Sequence, residues 1–288
     1  MGEGGTGRLI EAGPLPPGFL LAGAVRGLLK RGREPDLPRS LWTRTVRLDP
    51  ASYEPYGRLC GFKPELGVPL TWPYALSFPL QMRLMMAADF PYPAMGMVHL
   101  ANHIRQEAQL WPGDELRLTC RSGHLFAHAN GQAFSLETRA ERDGAVIWSA
   151  SSLYLHRGRQ GQGIAIPDLP SGKPDHKIET IEASLKPSRL YARLSGDANP
   201  IHTSPVLARM LGFPRPIAHG MWTKARAISA LTEGRVVDVA EAEVSFRNPL
   251  LLPAKAELYA ASSGNVWDFE CRSSDAARSY LRGRLSLF

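Results

Sequence analysis

Two rhythms of apolar residues follow one another along the last third of the chain and outline a fold. Ile178-Glu179-Thr180-Ile181-Glu182-Ala183 alternates as a half-buried strand does. Leu190, Tyr191 and Leu194 then recur at helical spacing, with Pro187-Ser188 predicted to cap their helix. A short helix is expected from Ser204-Pro205 through Val206, Leu207, Met210 and Leu211. A longer one, from about His219 to Leu231, carries Trp222, Ala225, Ile228 and Leu231 on one face. The strand rhythm returns over residues 236–247, 255–262, 266–271 and 279–287, with Gly264-Asn265 as a turn signal. A strand, a mainly apolar central helix and several long antiparallel strands make an α+β unit in which a sheet wraps a helix.

The first half repeats this order. Residues 43–48 read as a strand and 50–59 as a helix, followed by strands near 97–104, 114–128, 132–141 and 145–156. Tyr56-Gly57-Arg58-Leu59-Cys60-Gly61-Phe62 superposes on Tyr191-Ala192-Arg193-Leu194-Ser195-Gly196-Asp197, with Tyr, Arg, Leu and Gly in the same places. The pairing of Leu100-Ala101-Asn102 with Phe246-Arg247-Asn248 shares only the asparagine and adds little. Between the copies, Arg157-Gly158-Arg159-Gln160-Gly161-Gln162-Gly163, followed by Pro167, Pro170, Gly172 and Pro174, reads as a linker. The expected organisation is therefore one fold twice, over residues 1–156 and 178–288, joined by 157–177.

Composition narrows the setting. The chain has 288 residues, enough for two ordinary domains and a large core. No apolar run reaches the roughly 18 residues that cross a bilayer. The first residues lack a secretory pattern, and Ser286-Leu287-Phe288 is no peroxisomal address, so a cytoplasmic protein without a membrane partner is expected. Cys60, Cys120 and Cys271 are odd in number and far apart, which suggests neither disulfides nor zinc, and they read as buried small hydrophobes. The net charge of +7 comes chiefly from scattered arginines. That pattern argues against a nucleic-acid arm and suits an anionic small ligand.

Candidate chemistry concentrates in Ser195-Gly196-Asp197-Ala198-Asn199-Pro200-Ile201-His202. Gly196 frees the backbone, and Pro200 drives Asn199 out of the α region, so the run reads as a helix exit or loop rather than helix. Such a loop can bring Asp197 and His202 to one point. One short helix later, Pro214-Arg215-Pro216-Ile217-Ala218-His219-Gly220-Met221 ends with a glycine placed to open another helix. Taken singly, Asp197 would be a turn or capping residue, His202 a satisfied loop histidine and Gly220 a packing glycine. His219 fits a helix cap and a shaper of the site equally well. His99 and His103 sit in a strand with no acidic partner nearby and read as core or interface histidines.

Together, residues 191–202, Gly212-Phe213 and Pro216-Ile217-Ala218-His219-Gly220-Met221 resemble the signature of the MaoC-like dehydratases, the (R)-specific enoyl-CoA hydratases of hotdog fold. The resemblance covers roughly residues 178–288. It implies a tandem double hotdog, with two antiparallel sheets each wrapped around a central helix. The C-terminal copy would be catalytic, and the N-terminal copy degenerate, since Phe62 stands where Asp197 would be and nothing there corresponds to His202. It further implies water handled by Asp197 and His202, a loop or water oriented by Asn199, and a thioester oxygen held at the Gly220 N–H. Arg247, beside Phe246 and Asn248, is the candidate contact to an anionic CoA, with a solvated surface arginine as the alternative. Leu80, Met82, Leu84, Met85 and Met86, with Phe78, Phe90 and Tyr92, read as core or as the lining of an acyl-chain tunnel. No metal and no redox cofactor are implied. The expected reaction is reversible hydration of trans-2-enoyl-CoA to (R)-3-hydroxyacyl-CoA, with dehydration of an acyl-ACP or of a branched or dicarboxylic acyl thioester as the alternative, no nucleic acid and room for a homodimer. A hotdog thioesterase or a non-catalytic thioester-binding protein are the competing readings.

Overall fold

Every strand of the computed structural model, which describes residues 8–13, 36–94, 96–158 and 160–288, joins a single sheet of eleven strands. Met95, Arg159 and nearly all of the N-terminal stretch bearing on a secretory pattern lie outside the described residues. The strands are β1 (Leu9–Glu11), β2 (Leu41–Arg47), β3 (Val98–Gln106), β4 (Glu115–His128), β5 (Gly131–Arg142), β6 (Ala145–Arg157), β7 (His176–Ala183), β8 (Ala240–Phe246), β9 (Ala254–Ser263), β10 (Val266–Arg272) and β11 (Ser279–Leu287). Their spatial order is β1-β2-β4-β5-β6-β3-β8-β11-β10-β9-β7. Apart from the short β1, which pairs parallel with β2, the order is palindromic, and each half contributes five antiparallel strands.

The seam is the antiparallel pair β3 and β8, with Ala101 opposite Ser245 and Gln106 opposite Ala240. The two expected sheets are thus one continuous sheet, because each half's innermost edge strand satisfies its backbone groups on the other. Among the described residues there are six α-helices: α1 (Pro50–Cys60), α2 (Trp72–Met86), α3 (Leu185–Ser195), α4 (Pro200–Thr203), α5 (Pro205–Met210) and α6 (Gly220–Leu231). The long helices α2 and α6 precede β3 and β8 respectively and form the two hotdog centres. Helix α2 goes unread in the sequence because it is buried nearly all round, leaving no polar face to set a period, and it carries Pro73 and Pro79.

The internal repeat has a direct structural counterpart. Helices α1 and α3 both end on a left-handed glycine, Gly61 with φ 86° and Gly196 with φ 76°. Tyr56 and Tyr191 are both buried, their ring centroids 5.9 Å apart. Helix α3 begins two residues before the expected cap, at Leu185, because a proline in the first turn gives up an N–H that has no partner there. Ser188 is therefore inside the helix and buried, free to serve the site below.

One charge spans the seam. Lys224 of α6 is fully buried, and its Nζ donates to Asn102 Oδ1 at 2.6 Å, Asn102 O at 3.1 Å and Ala242 O at 2.8 Å. Its three donors thus tie a central helix to both edge strands. His103, expected without an acidic partner, meets Glu241 Oε1 at 2.5 Å across the same seam, a pairing that sequence separation hides. The three cysteines are buried, and burial pushes their thiols up, that of Cys120 to about 12. The linker runs along the outer face, where Ile166 and Leu169 pack on Phe126, Leu153 and Leu155.

Candidate active site

The Asp197-to-His202 run leaves α3 through Gly196 and re-enters helix at Pro200. The expectation of a wholly non-helical run is corrected here: Pro200 opens the single turn of α4, where its fixed φ and missing N–H cost nothing. Asn199 is the cap, and its Oδ1 accepts from the Ile201 N–H at 3.2 Å. His202 rides on that turn. Its Nδ1 lies 2.8 Å from the Ile217 carbonyl, which can only accept, so Nδ1 carries the proton and Nε2 keeps its lone pair.

His219 is fully engaged by the protein. Its Nε2 donates to the Asp197 carbonyl at 3.1 Å, and its Nδ1 lies 3.2 Å from the Ser188 hydroxyl, whose one proton is shared with the His202 carbonyl at 3.0 Å. Its ring stacks on His202 with centroids 3.8 Å apart. His219 is therefore a brace that fixes the Asp197 loop and the His202 ring, and it is also the N-cap residue of α6 by position. Ser188, which sequence reasoning did not single out, holds this brace from α3.

Asp197, His202 and His219 offer ligand atoms that all lie within 4.8 Å of one another. With both His219 nitrogens committed, the Asp197 carboxylate and His202 Nε2 remain, fewer protein donors than a metal site of this type uses. Burial raises the Asp197 pKa, opposed by the His202 charge, and burial lowers that of His202, opposed by Asp197. The two affinities for a proton are drawn toward each other, which lowers the cost of passing a proton between the groups.

Gly220 is the first residue of α6, so its N–H has no carbonyl a turn earlier to bond and lies at the positive end of the helix. A Cβ at Gly220 would stand 2.8 Å from Cε1 of Phe246, so glycine alone admits that ring. Asp197, Asn199, His202, His219, Gly220, Phe246 and Arg247 all line one cavity of about 320 Å³. Every site residue expected from sequence is thus brought to the same space. Arg247 is exposed at its edge and donates to the Pro170 carbonyl of the linker at 3.2 Å.

The first half of the chain contributes one wall of the same cavity. Tyr74, Phe78, Met82 and Met85 project from one stripe of α2, joined by Met97, His99 and Tyr154. The methionine-rich stretch is therefore cavity wall as well as core, whereas Phe62 is buried outside the lining. His99 stacks on Tyr154 and lies tilted against Phe246, and burial lowers its pKa to about 3. The Tyr74 and Tyr154 hydroxyls meet at 3.2 Å, and Tyr154 donates to Gln81 at 3.0 Å.

Comparison with known proteins agrees with this geometry. The family model described as MaoC like domain matches residues 170–278. The chain is 35% identical to 3-hydroxyacyl-thioester dehydratase X of Mycobacterium tuberculosis over 257 residues, covering 88% of this chain and 91% of that protein. The crystal structure of that protein, HtdX, superposes with a TM-score of 0.74 at 33% identity over 85% of this chain and all of that one. A shorter stretch, 24% of this chain and 22% of the relative, is 44% identical to peroxisomal enoyl-CoA hydratase 2 of Arabidopsis thaliana.

Proposed function

The chain belongs to the MaoC-like dehydratases, hydro-lyases of acyl thioesters, and on that premise we propose that it interconverts trans-2-enoyl-CoA and (R)-3-hydroxyacyl-CoA. The observation that carries this reading is the meeting of the Asp197 carboxylate and the free Nε2 of His202 in a cavity that also contains the start of α6. In hydration, one water is held between the two groups. His202 Nε2 takes a proton from it as its oxygen bonds to C3, and the electron pair of the C2–C3 bond moves onto the thioester oxygen. The Gly220 N–H and the helix end behind it stabilise that enolate oxygen. The proton held by His202 passes to the Asp197 carboxylate, which delivers it to C2 as the enolate collapses, so both groups end as they began. One O–H bond breaks while a C–O and a C–H bond form, so the atoms of one water are all accounted for.

Asn199 holds the α4 turn and exchanges no proton. Arg247 and Phe246 meet the carrier end of the substrate, while residues 1–156 supply the wall for its acyl chain and 178–288 the chemistry. The test is a spectrophotometric screen of enoyl-CoA substrates of increasing length, read as loss of the conjugated thioester, with chiral analysis of the product. Turnover that yields the (S)-alcohol, or none on any length, would overturn the assignment.

A further inference from the structure

Beside the cavity the surface combines exposed apolar side chains with cations that have no carboxylate partner among the described residues. Val206 is 67% exposed, Leu207 42%, Met210 77% and Leu211 45%, all on or next to α5. Along α3, Lys186, Arg189 and Arg193 form an exposed stripe at i, i+3, i+7 whose middle member, Arg189, donates to the Thr203 carbonyl at 3.0 Å just before α5; Arg209 on α5 and Arg215 beyond it are exposed too. Among the described residues none of these five is ion-paired with a carboxylate. The only acid between residues 185 and 232 is Asp197, which lines the cavity. Ile201, Phe213 and Ile217 of the same segment line the cavity too, whereas Val206 and Met210 do not.

We propose that this face docks the enzyme on an anionic lipid surface. A helix lying in a membrane interface presents apolar side chains for insertion and cations for the headgroups, and α5 with its surroundings has both. Side chains standing this far into solvent suit a fluid medium better than a shaped protein partner. Five cations spread over two helices and a loop address a diffuse negative surface rather than one acidic helix. No helix of the described residues is long and apolar enough to cross a membrane, so the contact would be peripheral. It would set the cavity against the phase into which long acyl chains partition, and the binding itself does not depend on the chemistry assigned to Asp197.

The test is co-sedimentation of the full chain with phosphatidylcholine vesicles, with and without about 30% phosphatidylglycerol, at low and high salt. Binding only to the anionic vesicles, weakened by salt, is expected. Lys186→Glu with Arg193→Glu should weaken it at least about tenfold, and Val206→Ser with Met210→Ser should weaken it without altering net charge. Both variants should hydrate crotonyl-CoA in solution as the parent does. Absence of vesicle binding, or binding indifferent to these substitutions, overturns the proposal. So does a raised KM for crotonyl-CoA in the variants, which would make the patch a substrate subsite. A change of oligomeric state in the variants would make it an interface between copies and overturn it equally.

Discussion

The ring of Phe246 lies against the α-carbon of Gly220, so that the end of β8 and the start of α6 touch where a side chain would have stood. A side chain at Gly220 would therefore have to shift the ring or the first turn of α6, which carries the Gly220 N–H. Gly220→Ala should lower kcat for crotonyl-CoA by at least about tenfold, since a misaimed oxyanion donor loses much of its value. Adding Phe246→Leu to the alanine variant should restore part of the loss, because the clash is with the ring. Steady-state kinetics on both variants decides it, and an unchanged kcat in Gly220→Ala would sink the assignment.

Asp197→Asn and His202→Ala should each depress hydration at least about a hundredfold with the fold retained. Stability separates this from unfolding. Because burial raises the Asp197 pKa, the unfolded carboxyl loses its proton first as pH rises past 3.8, and the folded state loses stability from there upward. Removing the charge removes that loss. Asp197→Asn should therefore be at least as stable as the parent at pH 7 in urea denaturation while nearly inactive. A variant both inactive and markedly less stable would leave catalysis unproven.

Asp197, Asn199, His202 and Gly220 were legible in the sequence because glycine and proline announce local backbone geometry, and the acid and base lie five residues apart. The repeat was legible because both copies keep the tyrosine and the left-handed glycine at the end of a helix. Helix α2 was not, since a segment buried on every side shows no period. Lys224 gives a faint signal as a lone cation among Met221, Trp222, Ala225 and Ile228, but its partners on β3 and β8 are matched only by folding. The same holds for Glu241 beside His103 and for Ser188 beneath His219, contacts that no local pattern encodes.

His99 should steepen the acid limb of stability. Its folded pKa is about 3 against 6.5, so between these values the unfolded chain binds a proton that the folded chain refuses. Stability then falls as pH falls, by up to about 1.4 kcal/mol per unit, and levels below about 3. His202 and His219, also lowered by burial, add to the same slope. His99→Leu should flatten it, measured as urea midpoints at mildly alkaline and mildly acid pH. Parallel curves for parent and variant would mean that the ring takes up its proton in place.

Met82 is the residue through which chain length can be set. It stands on the α2 stripe with Tyr74, Phe78 and Met85, and all four line the cavity that holds Asp197 and His202. Gly196 approaches the same helix at Pro79, 3.6 Å from a Cβ built on the glycine, so the Asp197 loop crosses α2 one turn from Met82. A tryptophan at Met82 fills space beyond that crossing, where a long acyl chain would run and a four-carbon one would not reach. Met82→Trp should leave kcat/KM for crotonyl-CoA within about threefold, as the reacting groups are untouched, and lower it at least about a hundredfold for a ten-carbon enoyl-CoA. Comparison of the two substrates on one preparation cancels any fraction that fails to fold. Equal losses on both would return the methionine stripe to ordinary core and place the acyl path elsewhere in the cavity.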